Sequence, residues 1–95
     1  MTDIEVQRID DFPHAVFDVL VRGETETTHR VSLTRAYYER LTDDAVTAEK
    51  LVEESFAFLL AREPNTSILS EFDLKDITKY FSGYEQEMQK KFQPG

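Results

Sequence analysis

The chain has no cysteine and no tryptophan, and only three glycines and three prolines in 95 residues. Without cysteine there is no disulfide, no thiolate metal site and no sulfur redox chemistry. The glycines stand at positions 23, 83 and 95, so no glycine-rich loop exists to cradle a phosphate. No serine sits in a G-x-S-x-G elbow, no H-E-x-x-H helix holds zinc, and no D-x-D-x-D-G loop binds calcium. Long apolar runs are missing as well. The longest, Phe56–Ala61, falls far short of a membrane span. The opening residues Met1-Thr2-Asp3-Ile4-Glu5 are acidic and lack the apolar stretch of a signal peptide. The expectation is a soluble cytoplasmic protein without a membrane partner and without a cofactor.

Carboxylates are abundant. The net charge is −8, and the excess is shared: residues 1–46 carry ten acids and five bases, residues 47–95 nine and six. Such a surface keeps a small protein soluble and repels phosphate backbones and anionic membranes, so nucleic acid is disfavoured as a partner. Hydrophobic residues make up 40% of the chain, with seven phenylalanines and four tyrosines among them. That is enough to fill one core, and residues 1–95 read as a single domain.

The hydrophobic period changes once, near Thr34. Before it apolar residues alternate, and after it they recur at helical spacing. Strands therefore come first and helices afterwards, an α+β order. The expected architecture is an antiparallel hairpin or three-stranded meander, over about 3–9, 14–22 and 26–33. Three or four α-helices follow, packed on one face.

The register of the hairpin follows from pairing. Two alternating runs flank Gly23-Glu24-Thr25. A three-residue loop sets Phe17 opposite Val31 and Ala15 opposite Leu33 on one face, with Asp18 opposite Arg30 and Arg22 opposite Glu26 on the other. A two-residue loop sets Phe17 opposite Arg30 and wastes the apolar face. A slip of one residue changes every cross-strand pair, and each good pair contributes ~0.2–1 kcal/mol, so the three-residue loop is favoured.

Thr34 is placed to cap a short helix through Leu41, broken by Thr42-Asp43-Asp44, and Thr47 to cap a second. The second carries a broad stripe of Ala48, Leu51, Val52, Ser55, Phe56, Leu59 and Leu60, and Pro64 stops it. Ser70 with Asp73 resembles a capping box ahead of a third helix bearing Leu74, Ile77 and Phe81 on one face, with Glu71–Lys75 as an i,i+4 pair. Gly83 reads as its C-terminal cap, and Tyr84–Phe92 as a last amphipathic helix.

No catalytic or metal-binding constellation emerges. His14 and His29 are fifteen residues apart with no third ligand at a characteristic spacing, and the register puts His29 on the apolar face across from Val19. Asp10-Asp11, Asp43-Asp44 and Glu53-Glu54 read as solvated pairs. The aromatic doublets are more informative. Neighbours on a helix diverge by about 100°, so one face cannot bury both. Tyr37, Phe58 and Tyr84 are thus the candidate surface for a protein partner or a second copy of the chain, unless the C-terminal helices cover Phe58.

Two resemblances accompany this reading. Arg30-Val31-Ser32-Leu33 followed by helices over Thr34–Leu41 and Thr47–Ala61 resembles the ribbon-helix-helix pattern of small bacterial DNA-binding dimers. That resemblance implies strand residues Arg30, Ser32 and Thr34 facing a DNA groove. The stretch His29–Glu85 is similar to small prokaryotic proteins of unknown function. It carries Tyr37-Tyr38-x-x-Leu41-Thr42, Leu51-Val52-x-x-Ser55-Phe56-x-Phe58-Leu59-Leu60-x-Arg62-Glu63-Pro64, Ser67-Ile68-Leu69-x-x-Phe72-Asp73-Leu74 and Tyr80-Phe81. This second resemblance implies no activity. The leading functional expectation is a non-catalytic protein-interaction or dimerisation module. The alternatives are a DNA-binding regulator and an enzyme with its site between subunits.

Overall fold

The computed structural model describes residues 3–93. Three strands lead the chain: β1 (Asp3–Asp10), β2 (His14–Arg22) and β3 (Glu26–Thr34), joined as an antiparallel meander. The β2–β3 register is the one argued from pairing, with Phe17 opposite Val31, Asp18 opposite Arg30 and Arg22 opposite Glu26. Arg30 Nε donates to Asp18 at 3.0 Å, and Arg22 Nη1 donates to Glu5 of β1 at 2.9 Å. One face of the sheet therefore carries these ion pairs, interspersed with half-buried Val16 and Leu20. The other holds Ala15, Phe17, Val19, Val21, Val31 and Leu33, all buried. That division is what a half-covered antiparallel sheet requires.

Helix α1 (Arg35–Thr42) starts where Thr34 Oγ1 accepts from the Tyr37 amide at 3.2 Å. It ends where Asp43 and Asp44 enter the left-handed region, at φ of 51° and 60°. That conformation is accessible to aspartate at little cost. Helix α2 (Ala48–Leu60) is capped by Thr47 Oγ1, which accepts from the Lys50 amide at 3.1 Å. Helix α3 (Tyr84–Phe92) is the last element among the described residues. The three helices share one apolar core with the buried strand face.

The segment between α2 and α3 departs from expectation. Helix α2 stops at Leu60, before Pro64, and Pro64 instead precedes a 3-10 turn at Asn65–Ser67. Glu71–Asp73 is a fourth strand, β4, parallel to β3 with Val31 opposite Phe72, so the sheet order is β1-β2-β3-β4. A parallel neighbour needs a long crossover, which α1 and α2 supply. The stretch Leu74–Lys79 is 3-10, not α. Leu74 and Ile77 are buried, and their i,i+3 spacing serves either helix type.

The capping box is Asp73 with Asp76, not Ser70 with Asp73. Asp73 Oδ1 accepts from the Lys75 amide at 3.0 Å, and Asp76 Oδ2 accepts from the Asp73 amide at 3.3 Å. Asp73 also accepts from the Ser32 hydroxyl at 2.9 Å, which pins β4 to β3. With Glu71 in a strand, its helical pairing with Lys75 does not form. Gly83 begins α3 as its N-cap and is not a C-terminal cap.

Candidate docking site

Tyr37, Phe58 and Tyr84 do come together, but inside the molecule. None is more than 6% exposed. The Tyr84 ring stands edge-on to Phe58 with centroids 5.3 Å apart, and Phe81 covers another side of Phe58 at 5.9 Å. The Arg62 guanidinium lies 3.6 Å from the Phe58 ring centroid and donates to the Phe58 carbonyl. The Tyr37 hydroxyl donates to Glu85 at 2.7 Å, and the Tyr84 hydroxyl meets Ser55, whose own hydroxyl donates to the Leu51 carbonyl. Burial pushes both phenols well above the usual tyrosine range, and for Tyr37 the adjoining Glu85 carboxylate adds to it. These aromatics are core, because α3 folds back over the face of α2 that its main stripe leaves bare. They do not form an exposed partner surface.

The three strand residues singled out by the ribbon-helix-helix resemblance are also engaged within the chain. Arg30 pairs with Asp18, Ser32 donates to Asp73, and Thr34 caps α1. β3 is paired with β2 on one side and, over Arg30–Ser32, with β4 on the other, so the stretch that would form the ribbon is already held within the chain.

His29 is 2% exposed. Its Nδ1 lies 2.7 Å from the Leu69 carbonyl, which can only accept, so Nδ1 carries the proton. Nε2 then accepts from the Thr27 hydroxyl at 2.8 Å, and the ring rests on Phe56 with centroids 5.4 Å apart. Both ring nitrogens are used and neither meets a carboxylate. His14 is exposed at the start of β2. Among the described residues no cluster of histidines and acids has the arrangement of a metal site, and no helix is long and apolar enough to cross a membrane.

His29 instead anchors, through the Leu69 carbonyl, the connector that forms one wall of a groove. The Ser70 carbonyl accepts from the Arg30 amide at 2.7 Å, beside the His29–Leu69 bond. Asn65 Nδ2 donates to the Thr25 carbonyl at 2.7 Å and to Thr27 Oγ1 at 2.9 Å. These bonds hold the connector flat along β3, with Ile68 turned in and Leu69 turned out.

The groove, about 230 Å³, runs between the end of α2 (Leu59, Glu63), this connector (Ser67, Ile68, Leu69), and β4 with the 3-10 stretch beyond it (Phe72, Asp76, Ile77, Tyr80, Phe81). Its floor is apolar and buried. Leu69, 52% exposed, and Tyr80, 67% exposed, stand at its mouth. Sequence reasoning missed it, because the walls meet only when β4 docks on β3.

Comparison with family models, with curated proteins and with solved structures returned no match.

Proposed function

We propose that the chain is a non-catalytic protein-interaction module whose docking site is the groove between α2 and the connector to α3. The observation that carries this reading is a half-open apolar groove with Leu69 and Tyr80 exposed at its mouth. Size favours a small anchor over an enclosed ligand. Sites that enclose a drug-sized ligand or cofactor hold roughly 300–1,000 Å³. A groove of about 230 Å³ suits one or two side chains of a protein segment laid across the surface.

The occupant belongs to a different protein. Two copies of a chain with charge −8 repel each other. Two exposed apolar side chains are also far less than the roughly 800 Å² per partner of a stable interface, so the contact is transient.

Replacing Tyr80 by the photo-crosslinker p-benzoylphenylalanine, in cells that express the chain, tests this. A discrete heterologous adduct is expected. It should be lost when Leu69→Asp is added, and absent when the crosslinker replaces Thr28 on the charged sheet face. An adduct of twice the chain's mass would favour self-association. Equal adducts from positions 80 and 28 would overturn the assignment.

A further inference from the structure

We propose that the groove reads a cationic side chain, the arginine or lysine of a partner segment, with its stem on the apolar floor and its head at the groove's carboxylates. The inference rests on the docking reading above and names the chemistry of its occupant. Two acids, Glu63 and Asp76, line an otherwise apolar cleft. Glu63 has no ion-pair or hydrogen-bond partner for its carboxylate among the described residues. Its basic neighbour Arg62 is committed elsewhere, stacked on Phe58 and bonded to that residue's carbonyl. Asp76 Oδ2 accepts from the Asp73 amide in the capping box, and Oδ1 pairs with Lys79 at 3.1 Å; the Lys79 side chain is 71% exposed, and an ion pair that open is easily exchanged at Oδ1.

Aromatic rings accompany these acids, with Phe72, Tyr80 and Phe81 lining the same cleft. Ring faces attract a cation that a carboxylate also holds. Lysine and arginine are the side chains with an apolar stem and a charged end, so one residue satisfies floor, rings and acids together. A purely apolar anchor would leave the Glu63 carboxylate partly stripped of water with nothing in exchange. The chain's charge of −8 draws in the same kind of partner from a distance.

The test is an NMR titration of the ¹⁵N-labelled chain with acetyl-Gly-Ser-Leu-Xaa-Leu-Gly-amide, Xaa being arginine or its neutral isostere citrulline. The arginine peptide should shift the amide signals of Leu69, Phe72 and Tyr80, and bind about three- to tenfold tighter than the citrulline peptide. Glu63→Gln should bring the two together. Equal affinities at those amides, or a preference that survives Glu63→Gln, would overturn the charge reading and leave the docking groove standing. If neither peptide moves those signals at millimolar concentration, the docking groove falls and this inference with it. Shifts confined to the charged sheet face would overturn the placement.

Discussion

His29→Leu separates a histidine that builds structure from one that merely sits on it. The substitution keeps an apolar contact on Phe56 but deletes two hydrogen bonds, to the Leu69 carbonyl and the Thr27 hydroxyl. Each is worth ~0.5–1.5 kcal/mol net, because water re-solvates the partners at a partly open edge. The aromatic pair with Phe56 adds ~0.5–1.5 kcal/mol, partly recovered by the leucine. A net loss of ~1–3 kcal/mol is expected, which lowers the melting temperature by about 4–8 °C for each kcal/mol in a chain of this size.

Urea unfolding followed by far-ultraviolet circular dichroism measures the loss as a lower midpoint at unchanged slope. The damage should also be local. Hydrogen exchange at Ile68, Leu69 and Ser70 should quicken more than at β2, because this bond holds the connector on β3. His14→Leu, on an exposed side chain, is the control and should change stability by no more than about 0.5 kcal/mol. If the two variants unfold at the same midpoint, His29 does not hold the groove wall and the account of how the connector is positioned is wrong.

Two further outcomes test the core and its charges. Phe17→Ala should cost ~3–5 kcal/mol in the same urea assay, since Phe17 is fully buried at the centre of the covered sheet face, and a loss below 1 kcal/mol would show that the helices do not pack there. Stability should fall at both pH extremes. The Arg8 guanidinium holds the Glu49 carboxyl below its usual value near 4.5, and Lys91 does the same for Glu54, so their stabilisation is present above pH ~4.5 and is lost as pH drops through the lower folded values. Tyr37 and Tyr84 are raised above the usual phenol value of 10.0, so the unfolded chain ionises first and stability declines as pH rises past that point. Phenolate absorbance from these two residues should appear only together with loss of the circular dichroism signal; its appearance in the folded chain would refute their burial.

The meander and its register were legible in the sequence because both rest on nearest-neighbour pairing. Alternation fixes which side chains share a face, and charges across Gly23-Glu24-Thr25 select among the possible slips. The caps at Thr34 and Thr47 were legible for the same reason, since a cap bonds an amide three residues away.

Tertiary structure alone decided the rest. Three residues, Glu71–Asp73, carry no period of their own and become a strand only because β3 offers an edge. Leu74 and Ile77 bear a spacing common to α and 3-10 geometry, and the Asp73–Asp76 cap anchored at β4 selects the tighter form. Phe58 and Tyr84 look like surplus aromatics until α3 returns over α2 and buries them. The groove forms last, because its walls lie on segments that touch only after β4 has docked. Pairing between near neighbours is written in the order of residues, whereas a cleft between distant segments exists only once the chain has closed on itself.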